Sequence, residues 1–141
     1  MQIKYPHLCS PITIGNVTFR NRMFAAPVGG TDITADCCVG PRTPAFYEMK
    51  AKGGAAAVTA SELVVHPETD ASHMFHLNLT TTGNLASWTW VADSIMRHGA
   101  VPSVELSHSG QYAGTYLADK NKKQGLSQYV PVTGSVPMAF P

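Results

Sequence analysis

The stretch Lys-Gly-Gly-Ala-Ala-Ala-Val-Thr-Ala, residues 52–60, passes from the end of a helix into a buried strand across two glycines. The glycine pair ends the preceding helix, which Thr43 is predicted to begin as N-cap with Pro44 in the first turn. Residues 55–60 carry no charge, which is typical of a strand buried on both faces. A helix followed so directly by such a strand indicates helices packed on a parallel sheet.

The same pattern occurs on both sides of this stretch. The nearly all-apolar run Met23 to Val28 is predicted to be the first strand, and Val101 to Leu106 the third, although Pro102 removes one ladder donor. Asn84 is predicted to open the second helix, with Leu85, Trp88, Ala92, Ile95 and Met96 as its apolar face, and Gly99 to close it. Strands that alternate with helices through right-handed crossovers predict an α/β fold with a parallel sheet.

A hairpin precedes this unit. Residues 12–19 alternate apolar and polar side chains around Gly15 and Asn16, which predicts a two-residue turn between short antiparallel strands. We interpret this hairpin as a small cap on the fold.

Loop length is one-sided along the chain. Each helix reaches the next strand through about two residues, whereas the segments after the strands are long: 29–42, 61–83 and 107 onward. Ligand chemistry in parallel α/β folds lies where the strands end. Functional residues are therefore expected after Val28, Ala60 and Leu106.

Composition excludes several function classes. The 141 residues are 44% hydrophobic and 13% charged with a formal net charge of +1, so there is no basic footprint for nucleic acid. No apolar run approaches the roughly 20 residues of a membrane span, and no signal peptide is recognisable, so a cytoplasmic location is expected. Cys9, Cys37 and Cys38 are odd in number and lack CxxC spacing, which favours neither a disulfide framework nor a zinc ribbon.

Three strands do not complete a parallel sheet, because the outer two would each keep an unpaired edge. A (β/α)8 barrel needs about 250 residues, far more than the 141 of this chain. We therefore expect residues 1–141 to form one partial domain, the hairpin with the first three strands and two helices of a TIM barrel. The remainder is expected to be truncated or supplied by another polypeptide.

Three segments in order carry a family resemblance. Residues 8–28, residues 46–55 and the run Val-Glu-Leu-Ser-His-Ser-Gly-Gln at 104–111 resemble the old yellow enzyme family, in particular its 2,4-dienoyl-CoA reductase and enoate reductase branch. The resemblance implies a (β/α)8 barrel that holds FMN at the C-terminal mouth of its strands. It also implies that hydride from NAD(P)H reduces an activated carbon–carbon double bond, in an enone or an enoyl thioester.

The resemblance also implies which residues bind the cofactor. It places the backbone of Pro27, Val28, Gly29 and Gly30 against the flavin ring, and two glycines do permit close backbone approach to a flat ligand. It places Ala60 beside the flavin as a small residue. The alternatives are that the glycines only begin a flexible loop and that Ala60 is simple core packing.

Glu105 departs from the glutamine that the family uses at this position. A carboxylate only accepts hydrogen bonds, whereas an amide also donates. Glu105 is therefore expected to be an ionised carboxylate beside the flavin, a protonated one in a dry pocket, or a member of a buried ion pair. His108 is either a ligand donor or a structural histidine, and Gln111 stands where the family has arginine.

The sequence also allows predictions for other histidine, cysteine and polar residues. His73 and His76 have a spacing that a metal could use only on a helix, and no metal site is predicted. Cys37 and Cys38 are interpreted as neutral, partly buried thiols. The dipeptide Asn21-Arg22 is interpreted as an ion-pair anchor at the closed end of the barrel.

The predicted function is FMN-dependent reduction of activated double bonds with NAD(P)H. The proton donor is expected beyond Pro141, so this chain alone is expected to be inactive, and longer relatives imply a 4Fe-4S cluster and FAD in a longer parent. Two alternatives stay open: a non-catalytic fragment or subunit that binds a chain completing the barrel, and another flavin-barrel dehydrogenase such as an amine dehydrogenase. Expected partners are a small-molecule alkene and a second copy or completing chain.

Overall fold

The computed structural model describes residues 4–29, 32–34, 38–65, 79 and 83–108. Its elements in chain order are β1 (Ile12–Ile14), β2 (Val17–Phe19), β3 (Phe24–Val28), α1 (Arg42–Lys52), β4 (Ala57–Val64), α2 (Asn84–Met96) and β5 (Val101–Ser107). The predicted alternation of strands and helices is confirmed, and β1 and β2 precede it.

The hairpin forms at the predicted turn. β1 and β2 pair antiparallel with Ile14 opposite Val17, so Gly15 and Asn16 alone make the connection. Gly15 has a φ of 60°, a left-handed conformation that glycine adopts without steric cost at the first position of such a turn.

The main sheet is parallel, with strand order β3-β4-β5. The second strand is longer than the sequence predicts, because β4 continues past Ala60 to Val64. The expected strand end at Ala60 is therefore wrong by four residues. An irregularity in the pairing, described next, separates the predicted part of β4 from its extension.

Two register shifts occur side by side near the carboxyl ends of the strands. Three residue steps on β3, from Ala25 to Val28, match two steps on β4. Three steps on β4, from Ala60 to Leu63, match two on β5. Each extra residue is a bulge, which bends its strand and re-aims the side chains beyond it. Within the β4 bulge, Glu62 has a φ of 51°, the left-handed region that non-glycine residues seldom adopt.

Both helices pack on one face of the sheet and enclose the core. Its buried members are Val39, Tyr47, Ala51, Val58, Ala60, Leu63, Trp88, Val91, Ile95 and Ala100. The predicted apolar face of α2 is partly wrong, because Leu85 is 77% exposed and Met96 is 50% exposed. The buried face instead follows Trp88, Val91 and Ile95, one helical turn apart.

The predicted N-cap of α1 is also wrong. The helix begins at Arg42 after Pro41, and Thr43 lies inside its first turn with a buried side chain. Asp32, in the loop before α1, binds the N-terminus of the helix instead. Its carboxylate accepts from the Arg42 N–H at 2.8 Å, and its carbonyl accepts from the Thr43 hydroxyl. A carboxylate at this end also complements the helix dipole.

Replacing Gly40 by Ala is expected to destabilise the loop that carries Asp32. A Cβ at Gly40 would lie 2.5 Å from the Asp32 Cγ, so the carboxylate would have to leave the Arg42 N–H. The expected loss is about 1–3 kcal/mol of unfolding free energy, measured by denaturant titration of the flavin-free protein. Gly29→Ala is the matched control, because no atom in the described part of the chain lies within 4 Å of its Cβ position. Equal losses in the two variants would contradict the expectation.

Arg20 holds the opposite, amino-terminal end of the sheet. Its guanidinium donates to the carbonyls of Ala51, Ala55 and His98 at 2.9, 2.8 and 2.6 Å, so one side chain ties together the ends of both helices. A cation there also complements the two helix dipoles. The guanidinium therefore serves as a shared cap for α1 and α2.

The neighbouring pair Asn21-Arg22 does lie at this end, but it forms hydrogen bonds there and no ion pair with any of the described residues. The Asn21 amide donates to the Gly54 carbonyl, its oxygen accepts from the Met23 N–H, and the Arg22 Nε donates to the Ser10 hydroxyl. Hydrogen bonds to backbone and hydroxyl groups therefore replace the expected charge pair.

A polar cluster joins the two helices on their outer side. The Glu48 carboxylate lies 2.9 Å from the His98 Nε2 and 3.4 Å from the Arg97 guanidinium. The hydrogen bond with His98, followed by the charge of Arg97, holds the pKa of Glu48 below its usual value. This cluster belongs to helix packing and lies outside the predicted site.

Candidate functional site

The carboxyl ends of the three parallel strands meet at one edge of the sheet. Val28 is paired with Ala60, and Ala60 with Val104, so the three strands are aligned at this level. Pro27 lies within the β3 bulge, and Glu105 follows Val104 on β5. The structure therefore brings together Pro27, Val28, Gly29, Ala60 and Glu105, the residues expected around a flat ligand.

The sheet has two distinct faces at this level. Val58 and Ala60 of β4 lie in the core beneath the helices. On the opposite face, the hydroxyl of Thr59, which lies between them on β4, is 2.8 Å from the hydroxyl of Ser103 on β5. Side chains alternate along a strand, so Glu105 shares the face of Ser103, away from the helices. Glu105 is exposed on that face.

Ala60 contributes to this edge through its backbone. Its side chain is 1% exposed and belongs to the helix-side core, as the packing alternative holds. A flavin contact by Ala60 stays a prediction, and it concerns main-chain atoms.

The end of β3 is open to a ligand. Val28 is 48% exposed, and no atom of the described residues lies within 4 Å of the position that a Cβ on Gly29 would take. A planar group can therefore approach this backbone closely. The carbonyl of Val28 also accepts a hydrogen bond of 2.8 Å from the hydroxyl of Tyr47 on α1. Gly30 lies outside the described residues.

Glu62 has no role in the sequence-based prediction, yet the structure places it at the same edge. The β4 bulge sets residues 61 and 62 opposite the single residue Glu105, so two carboxylate-bearing positions adjoin on neighbouring strands. One signal was available, because Glu62 interrupts an otherwise uncharged run from 55 to 65. The left-handed backbone of Glu62 has no sequence signature, since non-glycine residues rarely adopt it.

The arrangement suits one edge of an isoalloxazine ring. Backbone groups at Val28 and Gly29 can approach a planar heterocycle, and the Glu105 carboxylate can accept a hydrogen bond from a ring N–H. Val28 is an exposed apolar neighbour for such a ring. The residues present therefore fit the cofactor that the resemblance implies.

The remaining predicted residues are less informative. His108 is half-buried directly after β5, at the same end of the sheet. His73, His76, Cys37 and Gln111 lie outside the described residues, and Cys38 is half-buried.

An apolar groove of about 330 Å³ lies on the other side of the sheet, between α2 and β5. It is lined by Ala60, Leu85, Trp88, Ala92, Pro102 and Val104, among others. Because this is the face on which helices pack, the groove is separate from the strand-end site. Among the described residues, no group of three or more His, Cys, Asp or Glu is placed to hold a metal ion. Within the same ranges, no helix has the length and apolarity needed to cross a membrane.

Comparison with known proteins adds to this geometry. Residues 7–136 match the family model described as the NADH:flavin oxidoreductase / NADH oxidase family. Dimethylamine dehydrogenase of Hyphomicrobium is 26% identical over 137 residues, which are 95% of this chain and 18% of that protein. NADH oxidase of Thermoanaerobacter brockii is 24% identical over 107 residues, 76% of this chain and 16% of that protein.

Solved structures share the fold. A 2-naphthoyl-CoA reductase in complex with 2-naphthoyl-CoA superposes with a TM-score of 0.67 at 26% identity, over 82% of this chain and 17% of that one. Old yellow enzyme from Pichia sp. AKU4542 superposes with a TM-score of 0.71 at 17% identity, over 82% of this chain and 30% of that one. The predicted fold class is confirmed: the chain has the α/β architecture of the N-terminal part of the TIM barrel found in old yellow enzymes. It spans less than a third of each of these relatives.

Proposed function

The chain belongs to the NADH:flavin oxidoreductase / NADH oxidase family, and we propose that its protein is an FMN-dependent enzyme that reduces an activated carbon–carbon double bond with NADH or NADPH. The substrate class is an enone or an enoyl thioester. The observation that carries the proposal is the family match over residues 7–136 together with strand ends that converge beside an open Gly29 backbone.

Structural neighbours support this substrate class. They include morphinone reductase, in complex with tetrahydroNAD, and the reductase in complex with 2-naphthoyl-CoA. Bound FMN would supply hydride transfer between a nicotinamide and the alkene. Toward that chemistry, the backbone of residues 27–29 would hold one edge of the ring, and Glu105 would set the charge beside it.

Amine oxidation is the second candidate. Dimethylamine dehydrogenase covers 95% of this chain in alignment, and the positions Glu62 and Glu105 adjoin at the strand ends. Two carboxylates at a site mouth attract cations such as a protonated amine, and they disfavour an anionic substrate.

Anaerobic reduction distinguishes the two candidates. The flavin-loaded full-length protein is expected to lose its yellow absorption when NADH or NADPH is added, and to regain it when an enone or enoyl-CoA ester follows. Dimethylamine alone is expected to leave the absorption unchanged. Loss of colour with dimethylamine but not with NADH or NADPH would support the amine dehydrogenase instead. A protein without flavin that does not take up added FMN would contradict both.

The proton donor, any further cofactors and the completing chain are also proposals. We propose that the proton donor, and any 4Fe-4S cluster and FAD, are supplied outside residues 1–141. The 141-residue chain alone should then show no turnover, and a second copy or a completing chain would cover its open strand edges. We also propose that the protein is cytoplasmic.

A further inference from the structure

The Tyr47 hydroxyl stands out because it reaches the candidate site from the helix layer. Tyr47 is 0% exposed, and its ring is held edge-on against Phe46 with centroids 5.1 Å apart. The Lys50 ammonium lies over both rings, 4.4 Å from the Phe46 centroid and 5.3 Å from that of Tyr47. A side chain enclosed in this way has little freedom, so the position of its hydroxyl is well defined.

That hydroxyl donates to the main chain where β3 is least regular. Its acceptor, the Val28 carbonyl, is the last of the strand and follows the bulge between Ala25 and Val28. Pro27 within the bulge has no N–H to give to the ladder. The end of β3 therefore has fewer ladder hydrogen bonds than a regular strand, and the hydrogen bond from Tyr47 provides an additional constraint.

The constraint extends beyond one oxygen atom. The Val28 carbonyl and the Gly29 N–H belong to the same planar peptide, so fixing the carbonyl fixes the orientation of the N–H, which points the opposite way. Glycine itself would leave this peptide free to rotate. The pairing of Val28 with Ala60 also holds this peptide in the sheet, and the hydroxyl of Tyr47 adds a second tie, from the helix layer.

We propose that Tyr47 is a positioning residue for the cofactor: its hydroxyl sets the plane of the Val28–Gly29 peptide against which the flavin ring rests. This inference rests on the proposed function, since it concerns how an FMN ring is held. Tyr47 itself touches no substrate or cofactor and acts through the backbone of β3.

Tyr47→Phe in the full-length protein tests the inference. Loss of the hydroxyl is expected to weaken rebinding of FMN to deflavinated protein about five- to tenfold, measured by quenching of flavin fluorescence. The visible absorption band of the bound flavin is expected to shift as well, because the peptide beside the ring is no longer held. Tyr47→3-fluorotyrosine keeps both the ring and the donor, and is expected to bind FMN as the wild type does.

Asn21→Ala is the matched control at the other end of the same strand. Asn21 makes two hydrogen bonds there, to the Gly54 carbonyl and from the Met23 N–H, so its loss should lower the unfolding temperature without altering FMN affinity or spectrum. Equal changes in FMN affinity for the two variants, or none for Tyr47→Phe, would overturn the inference while leaving the proposed function intact. Wild-type protein that fails to rebind FMN would overturn both. If Tyr47→Phe does not fold, Tyr47→4-aminophenylalanine decides, because it keeps the ring but offers the Val28 carbonyl a weaker donor: a reduced FMN affinity in folded protein supports the inference, and an unchanged affinity overturns it.

Discussion

Replacing Glu105 by Gln is expected to raise the two-electron reduction potential of the bound flavin by about 90 mV. Glu105 lies on the sheet face away from the helices, directly after the aligned Val104. An ionised carboxylate about 4 Å from a reduced, anionic ring repels it by roughly 4 kcal/mol at an effective dielectric of 20. At about 30 mV per 1.4 kcal/mol for two electrons, the neutral amide relieves that repulsion and makes reduction easier.

The potential is measured by equilibrating the protein with a reference dye during anaerobic reduction. Glu48→Gln is the control with the same chemical change, because Glu48 lies among the helices beside His98 and Arg97. Its flavin potential should equal that of the wild type. A Glu105→Gln potential that also stays at the wild-type value would show that the carboxylate is neutral or directed away from the ring.

Replacing Arg20 by Met is expected to lower the free energy of unfolding by about 2–4 kcal/mol. The guanidinium donates to three carbonyls, at Ala51, Ala55 and His98, and no other described side chain caps the ends of both helices. Methionine retains much of the side chain's apolar length, so the loss reports mainly on these charge-assisted hydrogen bonds. Their partial exposure to water places the expected cost below the sum of three buried bonds.

Denaturant titration of the flavin-free protein measures this loss. Arg22→Met is the matched control, since the Arg22 side chain makes one described hydrogen bond, of 3.2 Å to the Ser10 hydroxyl. It should cost less than about 1 kcal/mol. Comparable losses in the two variants would mean that the three-carbonyl cap of Arg20 contributes little to stability.

The order of the elements could be predicted from the sequence because local chemistry decides it. Glycines close both helices, with φ values of 110° at Gly54 and 70° at Gly99, and the strands that follow are apolar runs with no helical period. The strand ends follow from this order, which is why the predicted site residues of three separate strands lie at one edge of the sheet. Parallel strands leave no other arrangement once the connections are short on one side.

The details that the sequence could not give depend on contacts distant along the chain. Thr43 is a residue type that often caps helices, yet the Asp32 carboxylate accepts from the Arg42 N–H at the start of α1 because the loop folds back onto the helix. The buried face of α2 is set by where α1 and β5 lie, so Leu85 is exposed despite its hydrophobicity. Likewise, the three carbonyls bound by Arg20 come together only after both helices have packed.

The two bulges could not be predicted from the sequence either. They arise where neighbouring strands differ by one residue in length between fixed pairings, and a single strand's sequence does not report the register of its partner. Glu62 and the true end of β4 at Val64 both follow from one such bulge.

A crystal structure of the full-length protein with bound FMN tests the central claim most directly. The flavin ring is expected to lie against the backbone of residues 27–29, with the Glu105 carboxylate at its edge and the Tyr47 hydroxyl still on the Val28 carbonyl behind it. A ring seated in the groove between α2 and β5, or elsewhere away from the ends of β3, β4 and β5, would contradict it.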